Sequence, residues 1–286
     1  MADAKPRKRR RWALGTLGLA AVWLLGVWPP PVWWRDHWPR CTAMMRERAE
    51  CVTVHGTELR DVAPALERMV IIGEDSRFRT HHGIDPAEIA DALGAGRGRG
   101  ITGTIAAAWR QRDRLRGAST ITQQLAKNLY LSSSRNPLRK IKEAATAVRL
   151  ELALPKDRIL ELYLNLAEWG PDVWGVEAAS RAYFGVPPAQ LTEEQAAELA
   201  ATLPHPRSSN PTFRPAATLQ RRDLILARYH GVEVYIPPEE EIDSIPVPAV
   251  LLPPVDSLRI DSLTARRTDA TDAQGRTADS GRDSLP

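Results

Sequence analysis

The chain has 286 residues, 43% hydrophobic and 26% charged, with a formal net charge of +4, six histidines and two cysteines. That length excludes a peptide, a collagen-like fibre and a large multidomain machine, and leaves room for one sizeable core or two small ones. Two cysteines outside any CxxC spacing cannot make a disulfide-dense scaffold, and a mean hydropathy of −0.33 argues against a polytopic membrane protein.

The modest net charge is a cancellation. Residues 1–12 hold Lys5, Arg7, Lys8, Arg9, Arg10 and Arg11 against Asp3, whereas residues 237–286 hold ten acids and five arginines. The stretch between them stays basic. No residue from Trp12 to Trp34 is charged. Trp12–Trp28 is continuously apolar or small, about 26 Å as a helix, near the lower limit for a hydrocarbon core of ~30 Å. Pro29, Pro30 and Pro31 then stop the helix. Trp12, Trp23, Trp28, Trp33, Trp34 and Trp38 lie where interfacial anchors belong. The expectation is a basic cytoplasmic segment over residues 1–11 and a single-pass transmembrane anchor with its interfacial segment over 12–34. By the positive-inside rule the rest lies outside the cytoplasmic membrane. A cleaved signal peptide is the alternative, opposed by the Pro and Trp that crowd the place for small cleavage-site residues. Cys41 and Cys51 then sit in a compartment that permits a disulfide, although two free thiols fit the sequence too.

Residues 50–236 read as one mostly helical folded domain without repeats. Met69–Ile72 form an apolar run, and Gly94–Gly103, with five glycines and two arginines, reads as a mobile loop. Thr120-x-x-Gln123 resembles a capping box for a helix with Ile121, Leu125 and Leu129 inward. Asn136 and Pro137 look like the cap and first position of the next helix, with Ile141, Ala145, Val148 and Leu152 on its apolar face and Pro155 at its end. A further helix takes Asp157 as cap, puts Ile159, Leu162, Tyr163 and Leu166 on one face, and closes at Gly170-Pro171. Glu193–Leu203 is a short helix. The tail over 237–286, rich in Pro, Asp, Ser, Thr and Arg without periodicity, reads as disordered.

Three segments carry candidate chemistry. In Glu74–Gly83, Glu74 emerges from the apolar run, and a carboxylate at the lip of a core suits a general base. Read alone, the segment is as simply a surface acid beside a satisfied core histidine, His81. His81, His82 and Asp85 do not make a metal site, because adjacent residues share no helix face and neither HExxH nor CxxC is present. In Gly117–Asn128, hydroxyls at a helix start are followed by Gln123, Gln124 and Lys127, a pattern suited to an anion. Capping accounts for Ser119 and Thr120 but not for adjacent glutamines followed by lysine. In Arg135–Glu143, Arg139 and Lys140 fall in the first turn of a helix, where the dipole is already positive. Such a conflict marks a binding site that a phosphate or pyrophosphate would resolve. Glu143 shares the face of both cations, and a plain salt-bridged surface helix is the competing reading.

In this order the segments resemble the peptidoglycan glycosyltransferases, glycosyltransferase family 51, whose patterns run EDxxFxxHxG, G[GA]STIxQQxxKN, RKxxE and a helix ending YLN. They stand here as Glu74–Gly83, Gly117–Asn128, Arg139–Glu143 and Ile159–Asn165. Gly175–Ala179, Tyr183–Gly185 and Ala200–Pro204 also look like the family, and the likeness covers about Val62–Pro211. Asn165–Ala179 looks closest to the monofunctional members, and no SxxK, SxN and KTG set marks a transpeptidase domain. The departures are the Gly/Arg-rich insertion at Gly94–Arg116 and the acidic tail.

The resemblance implies an all-α, lysozyme-like fold and an inverting transfer that polymerises lipid II into β-1,4-linked glycan, releasing undecaprenyl pyrophosphate. It implies Glu74 as general base on the acceptor hydroxyl and Glu143 as the second essential carboxylate. Lys127, Arg135, Arg139 and Lys140 would neutralise the leaving group, and Ser119, Thr120, Gln123, Gln124 and Asn128 would hold sugars and phosphates. Asp75, Phe78 and His81 would line and shape the site. No cofactor is required on this reading; a divalent cation, Mg or Mn, is an optional aid at the pyrophosphate. The implied partners are lipid II, the nascent glycan, membrane lipid and proteins of cell-wall synthesis or division, without nucleic acid. A lytic transglycosylase or lysozyme-like hydrolase is the rival enzyme, and a tethered scaffold with a vestigial site is the non-enzymatic rival.

Overall fold

The computed structural model describes residues 4–54, 56–88, 119–131, 133–134 and 136–236. Arg135, the Gly94–Arg116 insertion and the tail from Pro237 lie outside them. Helix α1 runs Ala4–Leu25 and is followed by a 3-10 turn at Pro31–Arg35. A short α2 covers Ala43–Arg48 and α3 covers Pro64–Glu74. After the undescribed stretch come α4 (Ile121–Tyr130), α5 (Pro137–Ala153) and α6 (Lys156–Leu166). Strands β1 (Glu168–Gly170) and β2 (Val173–Trp174) pair antiparallel. Helices α7 (Val176–Phe184), α8 (Glu193–Thr202) and α9 (Pro215–Tyr229) complete the domain.

The described part is helix-rich, with one small β ribbon that the all-α expectation lacks. The expected helix ending at Gly170 stops at Leu166, because Glu168–Gly170 turns back through Asp172, a left-handed residue at φ 60°, onto Val173–Trp174. Asp157 is not its cap. Pro155 holds the cap position, and Asp157 instead pairs with Arg79.

Helix α6 is the central post. Ile159, Leu160, Leu162, Tyr163, Leu164 and Leu166 are all buried, so this helix is apolar nearly all round, as a helix packed on every side must be. Its Asn165 donates to the carbonyls of Thr57 and Glu161 and accepts from the Thr57 amide, each at 2.8 Å. Helix α4 packs on α6 and α5, while α3 packs on α8 and α9. Ala196, Ala197, Ala200 and Ala201 on α8 are buried small residues that let α3 and α9 approach.

The capping box at Thr120 is present, and Ile121, Leu125 and Leu129 face inward. The face expected for α5 is not the buried one. Ile141 and Leu152 are 54% and 82% exposed, and the inward face is Glu143, Thr146, Ala147 and Leu150. Periodicity finds an apolar stripe but not which stripe meets the core. Here two cations neutralise the inward acid (Arg139 and Lys140, below), so its burial is tolerated.

The expected membrane-crossing helix over 12–34 also needs correction. Among the described residues no helix is long and apolar enough to cross a membrane. The charged residues Lys5–Arg11 occupy the first turns of α1, and Gly26 with Pro29–Pro31 ends it. The uncharged part left, Trp12–Leu25, is about 21 Å long. Trp34 is no interfacial anchor either. It is buried in the core, with its indole N–H on the Tyr130 oxygen. Arg158 holds the same segment, donating to the carbonyls of Trp34 and His37 and lying over the Trp38 ring.

Cys41 and Cys51 form a disulfide with Cα atoms 5.2 Å apart. It encloses α2, whose Met44 and Met45 are buried. Closing a loop this short stabilises by about 2–3 kcal/mol in the chain-entropy account.

Candidate active site

Glu74 is the last residue of α3, delivered to the end of a helix whose Met69 and Val70 are in the core. Its Oε2 accepts a hydrogen bond from Gln124 Nε2 at 3.0 Å. The Gln124 amide is oriented from behind, because Tyr163 donates its hydroxyl to Oε1 at 2.9 Å. Burial, and then the neighbouring Glu74 and Asp75 carboxylates, push the Tyr163 phenol well above its usual range, so it stays a donor. The other Glu74 oxygen, Oε1, is buried and faces the guanidinium of Arg221 at 3.6 Å.

Asp75 turns the other way. Its carboxylate accepts from His81 Nε2 at 2.9 Å and from the Ile121 amide at 2.9 Å, the first turn of α4. A carboxylate at a helix N-terminus satisfies an orphan donor and matches the dipole. His81 Nδ1 accepts from the Gly83 amide at 3.2 Å, which assigns the proton to Nε2. Phe78 is fully buried, with the Lys156 ammonium 4.3 Å and the Arg79 guanidinium 5.6 Å from its ring centre. Thr120 accepts from the Gln123 amide and donates to the Gly83 carbonyl at 2.7 Å, while Gln123 Oε1 accepts from the Thr120 amide. Asp75, Phe78, His81, Thr120 and Gln123 are thus occupied by internal partners. Of the two adjacent glutamines, Gln123 closes the capping box and Gln124 reaches the carboxylate.

Gly83 joins three of the motifs. At φ +87° its Cα lies so close to α5 that an added Cβ would meet the Ala147 carbonyl carbon and oxygen at 2.9 Å. That contact is one turn beyond Glu143 and sets the first segment against the helix of the second carboxylate. Gly83→Ala is expected to cost about 1–3 kcal/mol through the backbone conformation alone, with further loss from a clash against rigid helix backbone. A urea midpoint unchanged from wild type would refute this joint.

Glu143 is buried, and both of its oxygens are taken, one by Arg139 and one by Lys140. Lys140 also donates to Ser119 Oγ at 2.7 Å, just before α4. Asn136 caps α5, its Oδ1 accepting from the Leu138 amide at 2.9 Å. The group carries a net positive charge with its acid inside and Lys140 facing out, 43% exposed. Lys127 is half-buried and Asn128 buried, further along α4. One helix therefore serves both carboxylates: Ser119 at its start reaches the Glu143 group, and Gln124 in its second turn reaches Glu74. Reading residue by residue misses Tyr163 and Arg221. Tyr163 had a signal, a phenol on the core face of a helix that needs a partner. Arg221 had none.

A profile for the transglycosylase family matches residues 44–230. The chain belongs to this family. Over 234 residues it is 41% identical to a biosynthetic peptidoglycan transglycosylase of Rhodospirillum centenum, covering 78% of this chain and 94% of that protein. It is 36% identical over 233 residues to the protein of that name from Azoarcus sp., covering 78% and 95%. For the one from Thiobacillus denitrificans the figures are 38% over 226 residues, 75% and 91%. The chain is therefore a peptidoglycan glycosyltransferase, and Glu74 and Glu143 both lie within the stretch that matches the transglycosylase family.

Proposed function

We propose that the enzyme polymerises lipid II by inverting transfer, taking the growing glycan as donor and releasing undecaprenyl pyrophosphate. The supporting observation is the convergence of Arg139 and Lys140 on buried Glu143, with Lys140 bridged to Ser119, just before the helix that also contacts Glu74. Glu74 takes the proton from the acceptor 4-hydroxyl. The new bond forms from that oxygen to the donor anomeric carbon, and the bond to pyrophosphate breaks. Arg139 and Lys140 offset the charge that develops on the leaving group, the contribution that usually dominates such steps. Glu143 keeps the two cations from repelling each other before substrate arrives. Lys127, Arg135 and Asn128 are assigned to the sugars and phosphates. No resident cofactor enters the step, and Mg or Mn would arrive with the pyrophosphate.

The same reading attaches the enzyme to the outer face of the cytoplasmic membrane. Leu14, Leu17, Leu19, Val22, Trp23 and Leu25 of α1 are exposed, as are Trp28, Val32 and Trp33, after a run of basic residues. Apolar and aromatic groups behind cations suit an anionic lipid interface, and the Cys41–Cys51 disulfide suits an oxidising compartment.

The test is incubation of the purified full chain with labelled lipid II. Polymer should form and lipid II disappear. Shortening of preformed glycan with lipid II untouched would overturn the reading in favour of a hydrolase.

A further inference from the structure

Helix α9 comes last in the described domain, and Arg221 on it reaches back to α3, 148 positions earlier than itself at Gly73. Its Nη2 donates to the Gly73 carbonyl at 2.8 Å and stands 3.6 Å from Glu74 Oε1. Both side chains are more than nine-tenths buried. Gly73 makes the approach possible. A Cβ there would press on Ile225 Cδ1 at 3.1 Å, one turn along α9 from Arg221.

Glu74 sits where a carboxylate is least at home, at the C-terminal end of a helix with the dipole against it. Its Oε2 has the Gln124 amide, held by Tyr163, whereas Oε1 accepts no hydrogen bond among the described residues. A buried carboxylate oxygen needs a compensating charge, and Arg221 is the cation that faces it. The same guanidinium satisfies a last-turn carbonyl of α3. A guanidinium placed on both the helix end and the carboxylate fixes where the helix delivers its acid.

We propose that Arg221 is a positioning residue for Glu74. It acts with the Tyr163–Gln124 pair on the opposite side, so the two carboxylate oxygens are held from α9 and α4 and the acid meets the acceptor hydroxyl at a set angle. This rests on the reading of Glu74 as the base.

The experiment compares Arg221→Met, Arg221→Gln and Arg221→Lys with wild type and Glu74→Gln, as full chains on labelled lipid II. Arg221→Met is expected to lower kcat about 10- to 100-fold with KM changed less than about threefold, the signature of an interaction used after binding. Arg221→Lys, which keeps the charge, should recover most of the loss. Should Arg221→Met not fold, Arg221→Gln carries the test as a smaller polar replacement without the charge, read at a matched thermal midpoint. The inference is overturned if the Met and Gln variants that fold turn over at the wild-type rate, if Lys is no better than Met, or if the loss falls on KM. Retention of activity by Glu74→Gln would instead remove the base assignment. An inactive Glu74→Gln beside fully active Arg221 variants would remove only the role of Arg221.

Discussion

Replacing Glu74 with Gln is expected to abolish polymer formation, lowering kcat by about 10²–10⁴-fold, the usual contribution of a positioned general base. The substitution is close to isosteric. Its side-chain oxygen can still accept from Gln124 Nε2, as Glu74 Oε2 does at 3.0 Å, so the fold around it has no reason to change. What is lost is an oxygen that can take a proton. Binding of lipid II, measured separately from turnover, should therefore survive. A variant that polymerises at half the wild-type rate would end the assignment. Lost binding with an unchanged rate of the bound complex would show that Glu74 holds substrate instead.

Glu143→Gln is expected to lower turnover by about 10²–10³-fold, in the range of lost electrostatic stabilisation at a site of charge development. Its effect on ligand binding should run the other way. Glu143 pairs one oxygen with Arg139 and the other with Lys140. A neutral amide leaves both cations available, so a pyrophosphate-bearing lipid should bind at least as tightly as to wild type. Lys140→Ala removes the half-exposed cation and should weaken that ligand more than a ligand with only sugars. Isothermal titration with the two ligand classes separates these outcomes. Equal weakening of both by Lys140→Ala would sink the anion site. Weakening of the pyrophosphate ligand by Glu143→Gln would mean that Glu143 serves mainly to hold the cations in place.

The two carboxylates differ in how far they could be read along the chain. Arg139, Lys140 and Glu143 lie within a turn and a half of one helix, so i,i+3 and i,i+4 geometry already brings them together. Glu74 was visible as an acid after an apolar run, but its surroundings come from residues 124, 163 and 221, on three different helices. Nothing local marks those contacts. Asp75, His81 and Thr120 show the same limit from the other side. They are polar residues in a motif, and only their partners reveal that they are occupied inside the domain.

Local chemistry decided the helix starts at Thr120 and Asn136, the inward faces of α4 and α6, and the order of the acid, amide and cation segments, because caps and periodicity act over a few residues. It also decided that Arg139 and Lys140 stand in a first turn against the helix dipole. The tertiary structure decided which face of α5 is buried, where α1 ends relative to Pro29, that Trp34 belongs to the core, and that Arg221 stands behind Glu74. Each of these depends on what another helix presents at the point of contact. A stripe of apolar residues has no orientation until something packs against it, and a buried charge is acceptable only once its partner has arrived from elsewhere in the chain.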